Sequence, residues 1–150
     1  MPNVNDPIQP SPWWKHAVCY QIYVRSFPDS DGDGIGDLPG ITARLPHIRA
    51  LGVDAIWLTP FYTSPQNDHG YDVADYLDVD PLFGSLSDAD DLIAAAHEHG
   101  LKILVDIVPN HSSSEHAWFQ EALQSPPGSA ARARYLFADG TGDGGDLPPN

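Results

Sequence analysis

Three short apolar runs constrain this chain more than any other feature. Residues 17–24 read AVCYQIYV, residues 53–59 VDAIWLT and residues 103–108 ILVDIV. Each is nearly continuous in aliphatic, β-branched or aromatic side chains, the pattern of strands covered on both faces, as in parallel sheets. The segments between them carry helical spacing. Ile41, Leu45, Ile48 and Leu51 fall on one face and stop at Gly52, although Pro46 removes a backbone donor and predicts a kink, or a short turn before the main helix. A second helix takes Ser87 as N-cap with Asp90 three residues on, buries Leu92, Ile93 and Ala96, and ends at Gly100. A third begins after Ser112–Ser114, buries Trp118, Phe119, Ala122 and Leu123, and is stopped by Pro126 and Pro127. Residues 1–12 read as a flexible leader ending at Trp13 and Trp14, and residues 140–150 as a Gly/Asp/Pro-rich loop.

Strand, helix and strand in alternation predict an α/β fold with a parallel sheet, helices packed outside it and right-handed crossovers. A doubly wound sheet uses short connections after its strands, whereas residues 60–86 form a long polar, aromatic and acidic loop. Long loops after strands are where (β/α)8 barrels keep their active sites. A whole barrel takes about 250 residues, so the expectation is the first three βα units of a (β/α)8 TIM barrel, incomplete in this chain.

Charge removes several functions. Seven Lys and Arg against 21 Asp and Glu leave a net charge of −14, which opposes binding to nucleic acid or to an anionic membrane surface. No apolar run approaches the roughly 20 residues that span a bilayer. The single cysteine, Cys19, makes no internal disulfide, and residues 1–15 lack the basic-then-apolar pattern of a secretion signal, so the expected compartment is the cytoplasm.

Three motifs carry chemistry. In DSDGDGIGD, the carboxylates of Asp29, Asp31, Asp33 and Asp37, with Gly34 and the Ile35 carbonyl, reproduce positions one, three, five, nine, six and seven of a calcium loop. Carboxylates so crowded repel one another without a cation. Position twelve is Gly40 instead of a bidentate glutamate, and no EF-hand helix precedes the loop, so a bare acidic turn is the alternative. A bound cation would stiffen the loop and take no part in chemistry.

In DHGYD, residues 68–72, Asp68 and Tyr71 flank a turn permitted by Gly70. A carboxylate that accepts hydroxyl hydrogen bonds beside a ring that stacks on C–H groups suits a polyhydroxylated ligand. Such residues also serve as solvated turn residues. In DIVPNH, Asp106 lies inside an apolar strand and needs a partner, since an unpaired buried carboxylate is costly. His111 follows the strand's C-terminal end, the catalytic face of a barrel, where a satisfied structural histidine is the alternative. His111, Glu115 and His116 do not match the spacing of zinc-protease helices. His97 and His99 suit a helix C-terminus.

In order and spacing, WWKHAVCYQIYVRSF, DSDGDGIGDLPGI, GVDAIWLTPFYTSP, DHGYDVADY and DIVPNHSSSEHAWF resemble the α-amylase family of glycoside hydrolases, in particular its α-glucosidase and oligo-1,6-glucosidase branch. The resemblance runs over residues 13–150. It implies a structural calcium held by Asp29, Asp31, Asp33, the Ile35 carbonyl and Asp37. It also implies that Asp68 and Tyr71 hold the terminal glucose, with the tyrosine as stacking platform, and that His111 hydrogen-bonds the same sugar. Asp106 would orient a basic residue beside the nucleophile, and Asn110 would be structural. An acid often stands where this chain has Ser114, which affects only the local helix cap.

By the same resemblance, residues 13–111 are the N-terminal part of the catalytic barrel and 112–150 the start of an inserted domain after strand three. The family's nucleophile, general acid and third carboxylate follow strands four, five and seven, so no catalytic residue is expected here. The implied reaction is retaining hydrolysis by two carboxylates about 5 to 5.5 Å apart, acting on α-glucosides such as malto- or isomalto-oligosaccharides. The isolated chain is expected neither to turn over nor to fold cooperatively. A trehalose synthase or other transferring enzyme of the same family is the alternative, and a non-catalytic calcium- or sugar-binding module is a third.

Overall fold

A computed structural model describes residues 11–148. The elements run β1 (Cys19–Ile22), α1 (Leu38–Ala50), β2 (Ala55–Leu58), β3 (Tyr62–Thr63), β4 (Asp75–Val79), α2 (Leu86–Glu98), β5 (Lys102–Val105) and α3 (Ala117–Gln124). By contacts the chain divides into unit 1, Met1–Phe61 with Val79–Ile107, and unit 2, Tyr62–Asp78 with Val108–Asn150.

Unit 1 is built on a parallel sheet of order β1-β2-β5. Tyr20 pairs with Ile56, and Ile56 with Ile103, while Ile22 pairs with Leu58. These residues pack with Ile41, Leu45 and Ile48 of α1 and Leu92 and Ala96 of α2 in one aliphatic core. The alternate row runs through Gln21, Trp57 and Leu104, and there Trp57 and Leu104 are 38% and 39% exposed. Both helices of the unit join the core on one face of the sheet, so among the described residues only that face of the strands is fully covered. The strands are also shorter than their apolar runs. Val24–Ser26 winds into a 3-10 turn, and Asp106 lies just beyond β5.

Pro46 does not break α1, which runs through it without interruption. A proline inside a helix costs about 3 kcal/mol, but Leu38, Ile41, Leu45 and Ile48 are all fully buried. At roughly 1.5–3 kcal/mol for each buried side chain, that burial prevails.

The capping box of α2 is Ser85 with Asp88, two residues ahead of the expected Ser87 and Asp90. Both pairs fit the Ser-x-x-Asp pattern, and the chain turns into the helix at Gly84, whose φ of +130° favours glycine. Ile93, expected in the core, is 38% exposed.

In unit 2, α3 buries only Ala122 completely, while Trp118 and Leu123 are exposed. Phe119 is the ring of α3 that meets Tyr135 and Phe137, at 5.1 and 6.4 Å between centroids. One row of an eight-residue helix is thus covered where two were expected. The long loop after β2 contains the paired strands β3 and β4, and the terminal loop closes through an antiparallel bridge between Thr141 and Leu147. The leader lies almost wholly outside the described residues. The described part of its Trp pair, Trp13 and Trp14, forms an exposed 3-10 turn with Lys15.

Candidate functional site

The acidic loop of unit 1 is organised by backbone amides. Asp29 accepts from the N–H groups of Asp31, Gly32 and Gly34 at 3.1, 2.6 and 2.8 Å. The N–H groups of Gly32 and Gly34 hold its carboxyl below the usual carboxylate range. Asp31 accepts from the Asp33 amide and Asp33 from the Ile35 amide. Hydrogen bonds to the ionised form thus offset part of the repulsion that crowding creates.

Asp37 is buried and caps α1 by accepting from Gly40 N–H at 2.6 Å, while its other oxygen accepts from Ser30 N–H and Oγ. Among the described residues, Asp29, Asp31 and Asp37 bring carboxylate oxygens within 4.8 Å of one another. Asp33, also an expected ligand, does not belong to that group of carboxylates.

Gly40 explains why position twelve carries no glutamate. A Cβ there would meet the Pro28 carbonyl oxygen at 1.9 Å. Gly36 is similarly confined, since a Cβ there would lie 2.2 Å from the Phe27 and Val24 carbonyl oxygens. The loop is seated where only glycine backbone fits.

The second loop, in unit 2, is a tight turn in which Tyr71 N–H donates to the Asp68 carbonyl at 3.0 Å. Its central residues, His69 and Gly70, have φ of 53° and 96°, as in mirror-image turns of the I′ class. Gln66 is also left-handed, at φ 61°. Two non-glycine residues in this region within four positions is a local concentration of backbone strain, of the kind found at ligand loops.

Asp72 offsets that strain. Its carboxylate accepts from Ser64 Oγ at 2.8 Å, Asn67 N–H at 2.9 Å and Asp68 N–H at 3.1 Å. Burial pushes the Asp72 carboxyl up, but the Ser64 hydroxyl and the Asp68 and Asn67 amides outweigh it and leave it below its ordinary value. Asp68 is exposed and Tyr71 half-buried.

His111 is held by both ring nitrogens. Its Nδ1 accepts from the Asn110 side-chain amide at 2.9 Å, so Nε2 carries the proton and donates to the Tyr71 carbonyl at 3.0 Å. The structure therefore brings His111 to Tyr71, as a brace on its backbone. Tyr76 adds a second tie between the same segments, its hydroxyl lying 2.7 Å and 2.9 Å from the Val108 and His111 carbonyl oxygens. Burial raises the Tyr76 hydroxyl above its ordinary value, with Tyr135 adding to the effect. Its ring lies between Tyr62 and His116, 5.8 Å from each.

Asp106 belongs to unit 1 and is half-buried just past β5, where its N–H extends the ladder to the Leu58 carbonyl at 3.1 Å. The expectation of an acid inside the strand shifts accordingly, because β5 ends at Val105. Asp72 and Tyr76 are the site residues that sequence reasoning passed over. Both stand in the DHGYDVADY motif, but which carboxylate faces inward depends on turn geometry that spacing does not encode.

Comparison with known proteins points one way. Residues 21–150 match the family model described as alpha amylase, catalytic domain. The chain is 57% identical over 92% of its length to a probable alpha-glucosidase of Rhizobium meliloti, of which it covers 24%. It is 51% identical, also over 92%, to an oligo-1,6-glucosidase of Heyndrickxia coagulans, again covering 24%. Among solved structures, the alpha-glucosyl transfer enzyme XgtA superposes with a TM-score of 0.84 at 56% identity, over 93% of this chain and 25% of that one. The trehalulose synthase MutB of Pseudomonas mesoacidophila superposes with a TM-score of 0.81 at 45% identity, over 87% and 23%. The chain spans about a quarter of the length of these relatives. The chain belongs to the α-amylase family, within that family's catalytic domain.

Proposed function

We propose that this chain is the N-terminal part of a (β/α)8-barrel α-glucosidase that releases terminal α-linked glucose from oligosaccharides with retention. The Asp68–Tyr71 turn carries the reading. It presents an exposed carboxylate and a half-buried ring from a strained backbone that is hydrogen-bonded at both ends. Asp68 accepts hydroxyl hydrogen bonds from the non-reducing glucose, Tyr71 stacks on its C–H face, and His111 hydrogen-bonds the same sugar. Asp106 orients a basic side chain near the nucleophile. The nucleophile and general acid lie in parts of the protein outside these 150 residues, with residues 112–150 beginning an inserted domain, and the 150-residue chain alone is inactive.

In this reading Asp29, Asp31 and Asp37 hold a calcium ion, with Asp33 and the Ile35 carbonyl as further ligands. Hard carboxylate oxygens gathered within 4.8 Å suit such a cation. The ion supplies rigidity to the loop before α1 and no chemistry. Among the described residues no helix is long and apolar enough to cross a membrane, and the cytoplasm is the proposed compartment.

A transferring or isomerising activity is the second reading, favoured by the likeness to XgtA and MutB. Incubating the full-length protein with maltose and analysing the products separates them. Glucose released first as the α-anomer supports the hydrolase, whereas a rearranged disaccharide in place of free glucose supports the isomerase. No reaction with maltose, isomaltose or sucrose contradicts both.

A further inference from the structure

Between Ser64 and Asp72 the backbone is closed into a ring by one side chain. Asp72 Oδ1 accepts from Ser64 Oγ and from Asp68 N–H, and Oδ2 accepts from Asn67 N–H. Ser64 Oγ in turn accepts from Gln66 N–H at 3.0 Å. Four donors thus converge on one carboxylate and the hydroxyl bound to it, across a segment in which Gln66 and His69 are both left-handed. A carboxylate offers about four lone-pair sites, and three of those on Asp72 are spent inside the loop. Little acceptor capacity remains for a ligand, in contrast to the exposed Asp68 that the same loop presents.

We infer that Asp72 is the positioning residue of the sugar loop, fixing Asp68 and Tyr71 in the pose that receives the terminal glucose, with the Ser64 hydroxyl as its relay. The inference rests on the α-glucosidase reading for the identity of the ligand, but the clamp itself is a property of the loop. Asp72→Asn replaces one oxygen with an NH2 group, which at Oδ2 meets the Asn67 N–H donor to donor. At Oδ1 it would meet the Ser64 hydroxyl and the Asp68 N–H.

The test uses the full-length protein and two readouts: steady-state hydrolysis of 4-nitrophenyl α-glucoside, and hydrogen exchange of the amides of residues 64–72. Asp72→Asn is expected to raise KM roughly tenfold while kcat stays within about threefold, since an interaction shared by ground and transition states is weakened. Exchange at Gln66, Asn67 and Asp68 should accelerate while α2 stays protected. Ser64→Ala should do the same on a smaller scale, about threefold in KM, and serves if Asp72→Asn does not fold. Unchanged exchange in both variants, or faster exchange with KM unmoved, overturns the inference. If the unaltered protein neither hydrolyses the glucoside nor binds glucose, the α-glucosidase reading falls. Exchange alone then decides the clamp: acceleration confined to residues 64–72 supports it and none overturns it.

Discussion

The two acidic loops hold crowded carboxylates by opposite means. In the loop from Asp29 to Asp37, left-handed backbone falls only on glycines, Gly32 and Gly34, and Gly36 and Gly40 sit against backbone carbonyls that leave no room for a Cβ. In the loop from Ser64 to Asp72, the left-handed positions include Gln66 and His69, and the hydrogen bonds of one carboxylate hold the shape. The first relaxes into its conformation, exposed over residues 29–34 and anchored by the buried Gly36 and Asp37. The second is held in a conformation its residues disfavour, as expected where function and not local propensity chose the shape.

Substitutions sharpen this contrast, and the largest effect belongs to the first loop. Gly40→Ala places a methyl group on the Pro28 carbonyl and should cost the full-length protein about 3 kcal/mol, read by denaturant unfolding, since backbone cannot move aside cheaply. A loss under 1 kcal/mol would break the picture of a tightly seated loop. Gly34→Ala meets nothing within 4 Å, so its cost is conformational alone, about 1–2 kcal/mol. Gln66→Gly should act in the other direction, stabilising by a few tenths to about 1 kcal/mol as the left-handed strain is relieved against added chain entropy. Destabilisation by Gln66→Gly would mean that the loop is not strained there.

Acid acts on both loops in the same sense. The Asp29 and Asp72 carboxyls lie below their ordinary values in the folded chain. Their contribution is therefore complete above the unfolded value near about 4 and is lost as pH falls through the lower folded values. Amide exchange at Gly32, Gly34, Asn67 and Asp68, corrected for intrinsic rates, should stay flat from pH 7 to 5 and rise below about pH 4. The smallest effect is expected at the exposed pair of Arg134 and Glu121, where Glu121→Ala should change stability by less than about 0.5 kcal/mol.

Much of this was legible because it depended on local chemistry. The apolar runs containing Ile22, Ile56 and Ile103 announced parallel strands, and Gly70 between Asp68 and Tyr71 announced a turn. What the sequence hid depended on neighbours distant along the chain. Pro46 reads as a helix breaker until the burial of Leu45 and Ile48 is weighed against it. Ser85 and Ser87 are equal candidates for the cap of α2 by pattern. Trp118 and Leu123 read as core residues because periodicity marks an apolar face without saying how much of it a partner covers. Asp72 carries no signal of its own in the sequence because its donors come from a backbone folded back across the turn.

The central claim is that the Asp68–Tyr71 turn holds a glucose residue, and calorimetric titration of glucose into the full-length protein tests it most directly. The account predicts measurable binding that weakens at least about tenfold in Tyr71→Ala, as expected for losing an aromatic platform, with the unfolding transition of the variant retained. Equal affinity in the two proteins would contradict it.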